Sequence, residues 1–335
     1  MADSKQRIVE LDILRGIACL TVVVGHYLQD SMSSGSFLSF LGGLGGKGVW
    51  LFFAISGFVI FMTLESVKRP VDFIISRFSR LFPAYWFAVV LAYVLIHVFH
   101  LDKEGMGFFS SLMNMTMVQS FVGIDNLDRV YWTLQIELLF YAWMFILFVN
   151  KALHKIDYFL LAFLSISFIF AVFYTPYNSS IVLKYINELF ILDHVYWFAM
   201  GIILYKLNKE RRLGNLSVVV LLLSIVVMAV RSVSIENFLI NGAVIFIFVL
   251  ILFGRINWIK PLEFIGFISY PLYLIHSNLG HVLLTKFTGL GVNSHISIFL
   301  ALFFVICIAM GITYWVEIPA RKAIRKYCVP PHSAV

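Results

Sequence analysis

Long apolar stretches separated by short polar segments run through the chain and predict helices that cross a membrane. A spanning helix needs about 20 mostly apolar residues, and the hydropathy pattern predicts ten such spans. Their predicted bounds are 11–31, 48–66, 81–100, 130–149, 157–174, 188–206, 216–231, 237–254, 266–285 and 296–316. The predicted fold class is therefore all-α, a polytopic transmembrane helix bundle in which residues 1–335 form a single domain.

The distribution of basic residues predicts the orientation of this bundle. Segments rich in Lys and Arg tend to face the cytoplasm. With ten spans and a cytoplasmic N-terminus, 18 of the 25 Lys and Arg residues fall in cytoplasmic segments and six in outer segments. The remaining basic residue, Arg15, lies inside the first span. This split predicts about ten spans with both termini in the cytoplasm.

The composition excludes several classes of protein. Hydrophobic residues make up 61% of the chain and charged residues 13%, which fits neither a soluble enzyme, nor a disordered chain, nor a disulfide scaffold. Cytoplasmic loops explain the net charge of +7 better than a nucleic-acid partner does. The cysteines Cys19, Cys307 and Cys328 have no metal or redox spacing, so no metal site is predicted. Because the spans leave only about 135 residues, any chemistry belongs to the helix bundle itself.

Two ionisable residues within the first span are candidates for function, because such groups are costly in a membrane. Arg15 and His26 are 11 residues apart, which places them on one helix face, about 16.5 Å apart along the axis. Asp12 can pair with Arg15, and Asp30 could orient the His26 ring. The alternative interpretation is an Arg that reaches the interface and a His at the opposite interface.

Two further candidates are Glu137 in the fourth span and His276 in the ninth. The predicted topology places Glu137 at a depth similar to that of His26, where a carboxylate could orient an imidazole base. Alternatively, Glu137 pairs helices by bonding a Tyr or Thr. His276 follows Pro271, which predicts the start or a kink of that helix, and a buried structural histidine is an equally good interpretation of this residue.

Two outlying segments complete the set of candidates. Arg77 and Arg80 lie just before the third span and would form a cationic patch on the cytoplasmic face, able to bind phosphates. The alternative is ordinary positive-inside charge. Residues 104–129 form a long, partly apolar outer segment, which predicts a lid or a short interfacial helix.

These segments, in this order and at this spacing, resemble the membrane acyltransferase-3 family. Arg15 and His26 match the family's Arg-x10-His first helix, and residues 48–60, which include Ser56, resemble its second-helix signature G-x2-LFF-x-LSGF-x-I, with Ile55 in place of the Leu before Ser56. Residues 77–85 match R-x2-R-[IL]-x-P-x-Y and end at Tyr85. Residues 132–141, from Trp132 to Tyr141, resemble WSLSVEEQFY, and residues 269–276 match S-Y-x-x-Y-x-x-H. Leu138 and Leu139 replace the Glu and Gln that follow the first Glu of the WSLSVEEQFY pattern.

The resemblance implies an integral-membrane O-acyltransferase of the stand-alone form, without a fused hydrolase-like domain. The expected donor is acetyl-CoA or another acyl-CoA, with no other cofactor, and the expected acceptor is a carbohydrate hydroxyl. The expected location is the plasma membrane (in bacteria, the inner membrane), with the lipid bilayer as partner. The site residues it implies fall into three roles: His26 as base or acyl carrier, oriented by Glu137 or Asp30; Arg15, Arg77, Arg80 and Tyr85 on the coenzyme; and Asp12, Ser56, Trp132 and His276 as further candidates.

A transporter or a flippase of a lipid-linked sugar is the alternative function. It would use the same buried Arg, His and Glu as a proton or substrate path. Such proteins often carry paired broken helices in two repeats, and the sequence shows no such repeat.

Overall fold

The computed structural model of the protein describes residues 8–31, 42–101, 106–174 and 180–328, although the side chain of Asp30 lies outside this description. The described residues are all-helical, without a strand. They divide into two compact units. The first unit contains residues 1–48, 74–134 and 257–335, and the second contains residues 49–73 and 135–256.

The helices follow the order of the predicted spans, with three short helices added. Their bounds are α1 (Val9–Ser31), α2 (Lys47–Ser66), α3 (Pro70–Phe99), α4 (Phe108–Asn114), α5 (Trp132–Val149), α6 (Ile156–Phe173), α7 (Ile181–Leu189), α8 (Val195–Glu210), α9 (Asn215–Arg231), α10 (Ile235–Phe253), α11 (Lys260–Gly289), α12 (Ser294–Ile312) and α13 (Ile318–Cys328). The three added helices are α4, α7 and α13. A π-helical turn, Thr313–Glu317, joins α12 to α13.

The helix lengths support a multi-pass membrane protein. Within the described ranges, seven helical segments are long and apolar enough to cross a bilayer: α1, α2, α3, α5, α6, α10 and the continuous segment Ser294–Cys328. The other three predicted spans coincide with α8 and α9, which have 16 and 17 residues, and with the 30-residue α11. The ten-span count and the cytoplasmic termini stay predictions.

Three helix starts predicted from the sequence are wrong. The sixth predicted span starts at residue 188, inside α7, whereas α8 begins at Val195. The other two wrong starts belong to α3 and α11. The third span begins at Pro70 and not at residue 81, so Arg77 and Arg80 lie inside α3. The ninth begins at Lys260 and not at residue 266, so Pro271 lies inside α11 instead of opening it. Apolarity marks only the part of a helix that would lie in lipid, whereas both helices continue into polar sequence. The segment 104–129 does contain a short helix, α4, whose Phe108 is largely exposed.

Helices α1 and α11 of the first unit pack closely and in parallel. A Cβ added to Gly16 would lie 2.2 Å from the Leu262 carbonyl oxygen, and one added to Gly266 would lie 1.8 Å from that of Asp12. Only glycine therefore allows the two backbones to approach so closely. Parallel packing is what the ten-span prediction requires of its first and ninth spans.

Candidate active site

Two histidines, His26 of α1 and His276 of α11, meet where these two helices pack together. Nδ1 of His26 lies 3.0 Å from Nε2 of His276, and the two rings stack with their centroids 5.1 Å apart. His276 is fully buried, while His26 is partly accessible. Nδ1 of His276 lies 2.6 Å from the carbonyl oxygen of Tyr273, in the preceding turn of α11. The three groups form one hydrogen-bonded chain.

This chain determines which nitrogen of each neutral ring carries the proton. A carbonyl oxygen only accepts, so Nδ1 of His276 is the donor and its Nε2 is the acceptor. Nδ1 of His26 must then donate to that acceptor. Nε2 of His26 is consequently the unprotonated, basic nitrogen of the pair. Hydrogen positions follow here from the bonding pattern, and they make His26 the proton acceptor and His276 the group that orients it.

Side-chain packing next to the pair holds the two helices in register. The Tyr27 hydroxyl donates to the carbonyl oxygen of His276 over 3.1 Å. A Cβ on Gly280 would lie 2.3 Å from the same hydroxyl oxygen, so glycine at this position makes room for the Tyr27 ring. Tyr27 is buried. The position of His276 relative to His26 is therefore set by tight packing as well as by hydrogen bonds.

Arg15 lies on α1 about three helical turns before His26, toward the N-terminus of the helix. Its Nη1 lies 3.0 Å from Oδ1 of Asp12, and Asp12 is buried. The pair that the sequence predicted is therefore present. Eleven residues of helix correspond to about 16.5 Å, so Arg15 and His26 cannot both touch one small reacting group.

The segment that leads into α5 supports α11 just beyond His276. The buried Asp128 accepts the backbone N–H of Asn278 over 2.9 Å. Nε of Arg129 donates to the Ser277 hydroxyl over 3.1 Å, and the Thr133 and Tyr273 hydroxyls are 2.8 Å apart. Sequence reasoning missed Asp128 and Arg129. The only available signal was two adjacent charges at the predicted start of an apolar span.

A cavity of about 700 Å³ opens at this end of the first unit. Ser277 and Asn278, which directly follow His276, contribute to its wall. The volume lies within the range of ordinary small-molecule sites. Among the described residues, its lining consists of Val98, Phe99, His100, Leu101, Arg129, Ser277, Asn278, His281, Val282, Thr285 and Lys286.

The coenzyme candidates on α3 occupy two different environments. Arg77 and Arg80 are partly accessible, and Nη2 of Arg77 lies 3.3 Å from the Ser76 hydroxyl. Tyr85 is fully buried, and its hydroxyl donates to the Asn114 carbonyl oxygen over 2.7 Å. This position favours a structural role for Tyr85 over the coenzyme contact predicted for it from the sequence.

Glu137 belongs to the second unit. Its Oε1 accepts the Ser56 hydroxyl at 2.9 Å and a short hydrogen bond from Tyr141. These contacts agree with the interpretation of Glu137 as a helix-pairing carboxylate, and they also account for Ser56. Trp132, at the start of α5, is partly exposed. That Glu137 or Asp30 orients His26 stays a prediction.

Comparison with known proteins decides the class of this site. The profile of the acyltransferase-3 family, described as an acyltransferase domain, matches residues 8–316. The chain belongs to the acyltransferase-3 family. It is thus an acyl-transferring enzyme with apolar, membrane-type helices, and both histidines of the pair lie within the matched segment.

One relative supports the same class of reaction. The protein named "Putative acetyltransferase ORF330" from Acidianus two-tailed virus is 26% identical over 280 residues, which is 78% of this chain and 80% of the viral protein. No solved structure matches the chain significantly.

Proposed function

We propose that this acyltransferase-3 protein moves an acyl group, acetyl as the first expectation, from acyl-CoA to a hydroxyl of a saccharide. The acceptor would be a surface or exported polysaccharide or its lipid-linked precursor. The observation that carries the proposal is the hydrogen-bonded chain from His26 through His276 to the Tyr273 carbonyl. Such a chain prepares one imidazole nitrogen to take a proton from a hydroxyl.

The reaction needs one proton to move twice. Nε2 of His26 takes the proton of the acceptor hydroxyl as that oxygen attacks the thioester carbonyl carbon. The tetrahedral intermediate then collapses, the carbon–sulfur bond breaks, and His26 returns the proton to the coenzyme A thiolate. While His26 is cationic, its Nδ1–H donates to Nε2 of His276, which stabilises that charge.

The donor would approach the histidine pair along α1. Arg77 and Arg80 would bind the phosphates of the coenzyme, since guanidinium groups match phosphate oxygens in geometry and charge. Arg15 lies too far from His26 to stabilise the oxyanion of the intermediate. We therefore assign Arg15, held by Asp12, to the pantetheine arm between the phosphates and the thioester.

The acceptor would enter from the cavity beside Ser277 and Asn278. This cavity has the volume of a small-molecule site and begins at the residue after His276. In the topology predicted from the basic residues, it lies at the outer face and the two arginines of α3 at the cytoplasmic face. The proposal thus places the protein in the plasma membrane with coenzyme inside and saccharide outside.

Labelled donor tests the proposal. Membranes that contain the protein are incubated with acetyl-CoA labelled in the acetyl group, and free coenzyme A thiol and alkali-labile label on glycan are both followed. We expect the thiol and the glycan ester to appear together, and neither to appear in membranes without the protein. Thiol release without glycan label would contradict the saccharide acceptor, and the absence of both would contradict the acyl-CoA donor.

A further inference from the structure

Four arginines from two distant parts of the chain come together in the first unit. Arg77 and Arg80 lie on α3, and Arg321 and Arg325 lie one turn apart on α13. The Ser76 hydroxyl links the two helices, since it lies 3.3 Å from Nη2 of Arg77 and 3.4 Å from Nη2 of Arg325. Arg321 and Arg325 are close enough to repel each other.

A single buried carboxylate lies among these arginines. Glu317 is only 7% exposed. Its Oε1 lies 3.9 Å from Nη1 of Arg321, and its charge also interacts with Arg80. Among the described residues, its Oε2 is buried without a hydrogen-bond partner. Glu317 ends the π-helical turn between α12 and α13, and such turns are frequent at functional sites.

Among the described residues, the guanidinium groups of this cluster outnumber its carboxylates. Glu317 interacts with Arg80 and Arg321, and the 3.9 Å between Arg321 and Glu317 is too long for a hydrogen bond. A group with several anionic oxygens would bind guanidinium donors and offset the mutual repulsion of Arg321 and Arg325. Phosphate esters have this chemistry, and guanidinium forks bind them in a bidentate manner.

We propose that Arg321 and Arg325 of α13 complete, with Arg77 and Arg80, a binding site for the phosphates of the coenzyme's nucleotide end. Glu317 is a positioning residue that keeps Arg80 and Arg321 facing this site. The inference rests on the proposed acyl-CoA donor. It goes beyond the family match, because that match ends at residue 316 and Glu317, Arg321 and Arg325 follow it.

Binding measurements with purified protein test the site. The variants are Arg321→Gln, Arg325→Gln and the double variant. Lys322→Gln and Lys326→Gln are matched controls, because they remove the same charge from the neighbouring face of α13. The dissociation constant is measured for coenzyme A and for 3′-dephospho-coenzyme A, each with the protein in the same detergent.

We expect each arginine variant to weaken coenzyme A binding about tenfold, and the lysine variants to leave it unchanged. Removal of the 3′-phosphate should weaken binding to the wild-type protein but have a smaller effect in at least one arginine variant. Equal dissociation constants for the arginine variants and the wild type would overturn this inference alone. Failure of the wild-type protein to bind coenzyme A would overturn the donor proposal with it.

Kinetics separate positioning by Glu317 from a structural role. We expect Glu317→Gln to raise the KM for acetyl-CoA several-fold and to leave kcat unchanged. Glu317→Asp, which keeps a carboxylate, should raise the KM less. A fall in kcat and thermal stability with an unchanged KM would overturn the positioning role.

Anionic lipid headgroups are the other source of phosphate esters, and exposed aromatic residues such as Trp315 lie close to the cluster in sequence. The variants are therefore also assayed in vesicles of phosphatidylcholine, alone and mixed with phosphatidylglycerol. A defect that appears only with phosphatidylglycerol, without a change in coenzyme A binding, would overturn the coenzyme assignment in favour of lipid.

Discussion

The two units treat their charged groups differently. In the second unit, cations pair with carboxylates: Nζ of Lys206 lies 2.6 Å from Asp157 and 2.7 Å from the Ser217 hydroxyl. Arg231 forms an ion pair with Asp193, and Lys209 forms one with Glu65, in the same unit. Each of these pairs joins residues far apart in the sequence and so holds separate segments of the second unit together.

In the first unit, the polar groups are arranged for exchange with a ligand. His26 bonds to a second imidazole whose other nitrogen bonds a backbone carbonyl, and Arg80 and Arg321 both interact with one carboxylate, that of Glu317. The cations named in the second unit already have carboxylate partners, whereas the histidines and arginines of the first unit can take up a proton or an anion. The comparison therefore separates charges that stabilise the fold from groups that carry the reaction, and it predicts different responses to mutation.

The largest effect is expected for His26→Ala. Loss of a general base typically lowers a rate about 10²- to 10⁴-fold, and we expect this loss in acetyl transfer. Coenzyme A binding and thermal stability should stay close to those of the wild type, as measured by binding and by unfolding in detergent. The matched control is His154→Ala, which removes an exposed histidine of the second unit.

Normal acetyl transfer by the His26→Ala protein would contradict the mechanism. It would also contradict the assignment of the reactive groups to the first unit. A His154→Ala protein with equal loss of transfer would show that the effect is not specific to the first unit.

A smaller loss, about ten- to a hundredfold, is expected for His276→Leu, because an orienting partner acts only through His26. His276→Asn should recover part of the activity, since an amide can also accept from His26 and donate to a carbonyl. Rates of label transfer for the two variants test the tautomer argument. Equal activity of the Leu and Asn variants would contradict it.

The close contact between α1 and α11 predicts a loss of stability for Gly266→Ala. The added methyl group would overlap the Asp12 carbonyl oxygen, and overpacking costs about 1–3 kcal/mol. Gly242→Ala, on α10 of the second unit, is the control, because nothing lies within 4 Å of its Cβ position. Thermal unfolding should show a lower midpoint for Gly266→Ala and an unchanged or higher one for Gly242→Ala. A Gly266→Ala protein as stable as the wild type would show that the two helices can separate.

The smallest effect on activity is expected for Asp157→Asn. Lys206 would keep its charge but lose its carboxylate partner, which costs about 1–3 kcal/mol for a buried group. We expect a lower unfolding temperature and an unchanged kcat for acetyl transfer. A fall in kcat without a fall in stability would contradict the claim that the ion pairs of the second unit only stabilise the fold.

Sequence reasoning predicted much of the fold, because bilayer thickness fixes the length of apolar helices. It also paired Asp12 with Arg15, since residues three apart on a helix are neighbours. It could not pair His26 with His276, because 250 residues separate them and no local pattern reports which helices touch. The same limit explains why Arg325, on a polar terminal helix, was not connected with Arg77.

The parallel contact of α1 and α11 also has a consequence for the order of synthesis. His26 emerges early from the ribosome, and its partner His276 follows only after the whole of the second unit has been made. During this interval Gly16 of α1 has no α11 to pack against. Without His276, no hydrogen bond determines which nitrogen of His26 carries the proton. A chain that stops before residue 260 could insert most of its helices and still lack the pair. The histidine pair therefore becomes available only after α11 has been synthesised.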